Sequence, residues 1–423
     1  MRVRKALLAS MLACFAVGGA HAQDAGEVNL GVVTFLSGPA ASPFGVPARN
    51  AAELMIQEFN AGTAPAPYNT KGFGGLPVKM TLIDEAGSST SVVTEYRNLV
   101  QRDNVDLIVG YISSGNCLAI APVAEELKTV TFLFDCGTPR IFEEGQKDYV
   151  FRAVNHATAD SVAAARYLKA TNPDIKNFRG INQNYAWGQD SWNDFSGAMT
   201  QLFPGIEVTT SQMPKLFAGQ YSAEISALMG SKSDVVHTSF WGGDLEAFIL
   251  QSSPRGLYNN SEVVLAAGET AMFRLKDRIP DGTVIGARGP YGVLAPDTPL
   301  NSWFREKFID RYNVAPNYTA YQMAQSLMAA KLGYEKAMAA NGGKKPNSDQ
   351  IAAAVRGMEY EGPGGVHKFN LSNGHQATSE TAYGRTKLVD GEMTIVDVIR
   401  FPSETVMPPD GMKGADWIAD GMK

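Results

Sequence analysis

The sequence is poor in the residues that staple small folds, hold metals or grip nucleic acid. Three cysteines in 423 residues are too few for a disulfide scaffold. His21, His156, His237, His367 and His375 show neither an i, i+4 pair nor the H-E-x-x-H pattern of a zinc site. Lys plus Arg number 37 against 43 Asp plus Glu, a net charge of −6, so the basic excess that phosphate backbones demand is missing. No apolar run after the leader reaches the ~18 residues of a membrane-spanning helix. What remains is 44% hydrophobic and 19% charged, the composition of a soluble globular chain of two or three domains. Glycine, at 42 residues, is somewhat abundant, which fits many strand-to-helix turns.

Residues 1–22 read as a secretory signal peptide. Met1-Arg2-Val3-Arg4-Lys5 is a basic start, 6–19 is apolar, and Ala20-His21-Ala22 fits the small-x-small cleavage rule. Cleavage is expected after Ala22; lipid anchoring at Cys14 is the weaker alternative. Loss of Arg2, Arg4 and Lys5 takes the net charge from −6 to −9. An exported, oxidising setting then applies to the two remaining cysteines, Cys117 and Cys136.

Strand and helix patterns alternate from residue 28 onward. Val28-Asn29-Leu30-Gly31-Val32-Val33-Thr34-Phe35 is nearly continuous in apolar residues, as in a strand covered on both faces. Similar runs recur at 78–84, 105–109, 130–134, 149–153, 178–182, 207–210, 235–240, 263–267 and 283–287, with helical spacing between them. Two long helical patterns follow at 299–312 and 320–340, and a short one at 348–358. Near the end, Asp390-Gly391 marks a hairpin between 381–389 and 393–399. This alternation predicts an α/β protein with two doubly wound parallel-sheet lobes. Residues 62–76, with Pro65, Pro67 and several glycines, read as a surface loop.

Catalytic and cofactor motifs fail on inspection. Gly72-Phe73-Gly74-Gly75-Leu76-Pro77 has proline where a dinucleotide fingerprint needs its third glycine, and it precedes a strand. Gly343-Lys344-Lys345 lacks the hydroxyl residue of a P-loop. Gly110-Tyr111-Ile112-Ser113-Ser114-Gly115 lacks the glycine two places before the serine of a nucleophile elbow. No enzyme, metal or cofactor is expected.

The polar and aromatic residues at strand C-terminal ends are more informative, because ligands of open parallel sheets bind there. Ser113-Ser114-Gly115 follows one strand and opens a helix, where hydroxyls and free N–H groups suit an anion. Asp135-Cys136-Gly137-Thr138 follows the next. Tyr185-Ala186-Trp187-Gly188, Phe240-Trp241-Gly242-Gly243 and Ala267-Gly268-Glu269-Thr270 take the equivalent places in the second half. Cys117 and Cys136 fall on neighbouring strand-end turns: either a disulfide braces the site or two free thiols are buried there.

Taken with the leader, the Asn29–Pro39 segment (NLGVVTFLSGP), the Ser113-Ser114-Gly115 turn and Asn184-Tyr185-Ala186-Trp187-Gly188 resemble the branched-chain amino-acid-type (Leu/Ile/Val-binding) substrate-binding proteins of bacterial ABC transporters. The resemblance spans the mature chain. It implies a periplasmic binding protein type I fold, with lobes at 23–152 plus 288–360 and at 153–287 plus 361–423. Three hinge segments are implied near 152–155, 287–290 and 361–368, with closure on a ligand. It further implies that Ser114, aided by Ser113, and Gly137 or Thr138 hold an amino acid's carboxylate and amino groups. Tyr185 and Trp241 would cover the ligand, and Glu269 would receive its ammonium. Phe44 stands where many members have tyrosine, which widens the expected ligand to an amino acid, amide or small carboxylate. The implied partner is a membrane permease and the implied state a periplasmic monomer. A sensory receptor of the same fold feeding a membrane kinase, or less plausibly an exported hydrolase, is the alternative.

Overall fold

The computed structural model describes residues 26–230 and 233–423; the leader and its cleavage point lie outside the described residues. Strands β1 (Val28–Thr34), β2 (Val78–Asp84), β3 (Leu107–Gly110), β4 (Thr131–Leu133) and β5 (Val150–Arg152) come first. They form a parallel sheet in the order 5-4-3-1-2. The chain then crosses to a second sheet of β6 (Asn177–Ile181), β7 (Glu207–Gln212), β8 (Val235–Thr238), β9 (Glu262–Leu265) and β10 (Val284–Gly286). Its order, 10-9-8-6-7, repeats that of the first. The inner strands are buried along their length, which is why they read in the sequence as unbroken apolar runs.

Helices cover both sheets, and their ends follow local chemistry. Val46–Ala61 begins with Pro47 in its first turn and ends at Gly62, whose φ of 71° lets its N–H reach back to the Glu58 and Phe59 carbonyls. After β10 the chain returns to the first lobe through helices Pro299–Tyr312 and Tyr318–Ala340, the second packing against Val46–Ala61. Residues 62–76 are more than a surface loop. Tyr68 and Phe73 are buried, and Lys331 of the long helix donates its Nζ to the Thr70 carbonyl at 2.8 Å.

The last strands correct the expected lobe boundary. β11 (Glu359–Gly362), β12 (Gly365–Leu371) and β13 (Gln376–Thr378) extend the first sheet beyond β5, with Gln376 beside Arg152. β14 (Thr381–Val389) and β15 (Glu392–Phe401) extend the second, joined at Asp390-Gly391 with positive φ at both residues, as the hairpin signal indicates. Residues 361–378 therefore belong with the first sheet, and 361–368 is a hairpin instead of a hinge. The third crossing is 379–380. The other two lie at 153–156 and 287–290, close to expectation. The first and third are tied together: Asn155 Nδ2 donates to the Ser379 carbonyl and Ser379 N–H donates to Asn155 Oδ1, both at 2.9 Å and buried.

Candidate ligand-binding cleft

The carboxyl ends of both sheets face one another across a narrow closed cleft. Phe44, Ile112, Ser114, Asp135, Gly137 and Tyr318 line it from the first lobe. Tyr185, Trp187 and Trp241 line it from the second, and Arg288 from the second crossing. The cavity left between them is only about 10 Å³, far below the ~300–1,000 Å³ of sites that take drug-sized molecules, so the lobes are shut on one another.

Phe44 lies in a single wide turn, Ala41–Gly45, ahead of helix Val46–Ala61. Gly45 is required there, since a Cβ would sit 1.7 Å from the Phe35 carbonyl oxygen. The turn sets Phe44 edge-on to Trp241, with centroids 5.3 Å apart, and edge-on to Tyr318 at 5.4 Å. Tyr185 and Phe217 flank Trp241 at 6.5 and 5.3 Å. Edge and tilted contacts of this kind suit aromatic quadrupoles and give the cleft an apolar, ring-shaped wall.

Opposite stands a polar corner. Ser114 Oγ accepts the N–H groups of Gly137 and Thr138, each at 3.2 Å. A hydroxyl has two acceptor sites and one proton, so Ser114 keeps its proton for a ligand. The disulfide Cys117–Cys136 joins the helix that Ser114 opens to the turn carrying Gly137, which decides the cysteine question in favour of a bond. Gly137 must be glycine, because a Cβ would lie 2.3 Å from the Trp187 ring and 2.6 Å from Arg288 Nη2.

Arg288 is the centre of the corner. It is 4% exposed, adopts a left-handed φ of 50°, and lies 4.4 Å over the Trp187 ring. Non-glycine residues avoid that backbone region unless surrounding contacts enforce it. Here Nη1 donates to the Asp135 carboxylate and carbonyl, and Nε to Asp160 Oδ2 at 3.3 Å. Nη2 is buried with no protein partner. Burial lowers the guanidinium pKa, but Asp135 and Asp160 outweigh it and the net shift is upward, so Arg288 stays charged. Arg152, equally buried, provides a second positive charge that acts on Asp160. Burial pushes the Asp135 carboxyl up to about 7 despite the Arg288 charge.

Of the residues singled out in the sequence, Phe44, Ser114, Gly137, Tyr185 and Trp241 line the cleft. Ser113 stands behind it: its N–H donates to buried Glu85 at 2.8 Å. Thr138 turns away and donates its hydroxyl to Asp190 Oδ2 at 2.6 Å. Glu269 does not line the cleft. Its Oε2 accepts the Tyr318 N–H at 2.8 Å, one of the orphan donors at that helix start. Arg288 and Tyr318 were not singled out, and Asp135 and Trp187 entered only as parts of strand-end turns, without a role. A charged residue inside the crossing 287–290 was the available signal for Arg288.

No group of three or more potential metal ligands occurs among the described residues, and none of their helices is long and apolar enough to cross a membrane. Residues 27–391 match the family model described as periplasmic binding protein. The chain belongs to that family. The fold of this periplasmic binding protein is shared with crystal structures of ABC-transporter solute-binding proteins. One from Rhodopseudomonas palustris BisB5, in complex with 3,4-dihydroxybenzoic acid, is 20% identical with a TM-score of 0.75, over 89% of this chain and 98% of that one. Another from R. palustris, in complex with 4-hydroxybenzoate, is 19% identical with a TM-score of 0.76, over 89% and 97%. A leucine-binding protein from Thermotoga maritima is 18% identical with a TM-score of 0.73, over 88% and 98%. No curated protein sequence matches the chain.

Proposed function

We propose that this protein is the periplasmic solute receptor of an ABC importer, and that its solute is a small organic acid with an apolar, ring-sized body. It works as a monomer, captures the acid by closing its lobes and presents it to a membrane permease. The observation that carries the ligand class is the free Nη2 of Arg288 in a cleft walled by aromatic rings. A buried donor without a partner is costly, and a carboxylate is its best acceptor. The Ser114 hydroxyl adds a second donor beside the same Gly137.

An α-amino acid fits less well. Its ammonium needs a free carboxylate in the cleft, but Asp135 is held by Arg288, and Glu269, whose Oε1 is unpartnered, does not line the cleft. The walls are instead suited to an aromatic ring, like those of the acids named in two of the similar structures. A thermal-shift panel of benzoate, 4-hydroxybenzoate, leucine, valine and urea tests the reading. Shifts with the benzoates alone support it; a shift with leucine or valine and none with either benzoate overturns it.

A further inference from the structure

Two aspartates one turn apart on helix Ala186–Leu202 make matching contacts with opposite consequences. Asp194 Oδ2 accepts the Thr158 hydroxyl at 2.6 Å, and both residues belong to the second lobe. Asp190 Oδ2 accepts the Thr138 hydroxyl, also at 2.6 Å, but Thr138 belongs to the first lobe. Asp190 Oδ1 receives Arg140 as well, Nε at 2.9 Å and Nη2 at 2.5 Å. The Asp190 side chain is 8% exposed, so water competes poorly for this contact. Both Arg140 nitrogens converge on Oδ1 while Thr138 takes Oδ2, so each carboxylate oxygen is bound by the first lobe, in charge-assisted contact on one side, although Arg140 itself is 34% exposed.

The same edge of the cleft carries a second tie. Trp417 and Ile418 bury in the core beneath helix Ala186–Leu202, alongside Phe195 and Met199. The segment leading to them reaches the first lobe twice. Asp410 Oδ1 accepts the Ser372 N–H at 2.6 Å, and Gly414 N–H donates to Glu143 Oε1 at 2.7 Å. The opposite lip is tied as well: Gly243 N–H donates to the Pro39 carbonyl at 3.0 Å, buried Glu269 Oε2 accepts the Tyr318 N–H at 2.8 Å, and Arg274, 44% exposed, meets Ser42 Oγ at 2.6 Å.

We propose that Asp190, gripping Thr138 and Arg140 and flanked by the C-terminal segment, is a closure clasp of this protein: a positioning residue that helps set how long the lobes stay shut, not which ligand they hold. Thr138 connects the clasp to the ligand wall. Its own N–H and that of Gly137 both rest on Ser114 Oγ, so the wall and the clasp move as one piece. When only the closed form binds tightly, apparent affinity scales with the closed fraction. Loss of the clasp therefore weakens every ligand by the same factor.

The clasp rests on lobe movement and not on the identity of the ligand, so it is tested first without one. Dyes are attached through Asn104→Cys and Asn260→Cys, exposed positions near the outer ends of β3 and β9, and the closed fraction is read by single-molecule energy transfer. Asp190→Asn and, separately, Arg140→Gln lower the closed fraction about tenfold. Asp194→Asn, on the same helix and equally buried, leaves it unchanged. An unchanged fraction in both clasp variants overturns the proposal. So does an equal loss in Asp194→Asn, which would mark a general loosening of the helix. With benzoate and 4-hydroxybenzoate as probes, Asp190→Asn speeds release of both by a common factor; unequal factors would make Asp190 a ligand-selecting residue and overturn it too.

Discussion

Arg288 sits over the indole of Trp187, 4.4 Å from its centroid, and is held there by Asp135 so that one guanidinium nitrogen is left over for the cleft. Three parts of the chain meet in this arrangement: a crossing segment, the second lobe's first strand-end loop and a first-lobe turn. Only closed lobes bring them together. A ligand carboxylate at Nη2 would therefore touch the hinge and both lobes at once.

Arg288→Gln separates charge from shape. The variant loses benzoate affinity by ~100-fold or more, since a buried charge-assisted contact is removed. It also melts well below the parent, because Asp135 and Asp160 are left buried without their cation, a loss that costs about 3–5 kcal/mol. Titration calorimetry and denaturant unfolding read the two effects separately.

Binding of an acid is expected to take up a proton near neutral pH. Burial already raises the Asp135 carboxyl to about 7, and a second negative charge beside Arg288 raises it further. Proton uptake on binding means that affinity falls as pH rises through 7. Calorimetry at pH 7 in buffers of different ionisation enthalpy measures the proton count; the expected value lies between zero and one, and Asp135→Asn brings it to zero.

Loss of the Cys117–Cys136 bond should act on both stability and the site. The bond closes a short loop, for which the cost of removal is about 2–4 kcal/mol. It also fixes Ser114 against Gly137. A Cys117→Ser, Cys136→Ser variant is expected to unfold at lower denaturant and to bind benzoate more weakly; Ser114→Ala also weakens binding, and leaves the Gly137 and Thr138 N–H groups without their acceptor at a cost of about 1–3 kcal/mol each.

Between pH 6.5 and 8 the protein should become less stable as pH rises. Burial pushes Glu85 and Glu269 up to about 8, far above their unfolded values near 4.3. The native state thus holds protons that the unfolded state has released, and raising the pH favours unfolding. His237 and His367, pushed down to about 3 by burial, act the other way, but only below about 6.5. A melting series across pH 5.5–8.5 is expected to be nearly flat below about pH 6, where the two effects offset each other, and to fall steadily above it.

How much of this was legible in the sequence depends on how locally each feature is encoded. Strands β1 and β3 to β5 announce themselves because burial on both faces leaves unbroken apolar runs. β11 to β13 do not: β11 and β12 meet at a glycine turn and alternate between buried and exposed residues, and β13 is a three-residue strand, Gln376–Thr378, so nothing local tells which sheet they join. Phe44, Ser114, Gly137, Tyr185 and Trp241 could be found because strand ends and aromatic turns are local signals. Arg288 is a single charged residue in a connecting segment, and its partners Asp135 and Asp160 are more than a hundred residues away. Glu269 looked like an ammonium acceptor because nothing in the sequence revealed that the Tyr318 N–H would reach it first.

The most direct test of the ligand class is a calorimetric titration of the unmodified protein with benzoate, its neutral counterpart benzamide, and leucine. An Arg288-centred acid site predicts binding of benzoate, at least about tenfold weaker binding of benzamide, and no heat from leucine. Leucine binding with benzoate silent, or benzamide binding as tightly as benzoate, would contradict it.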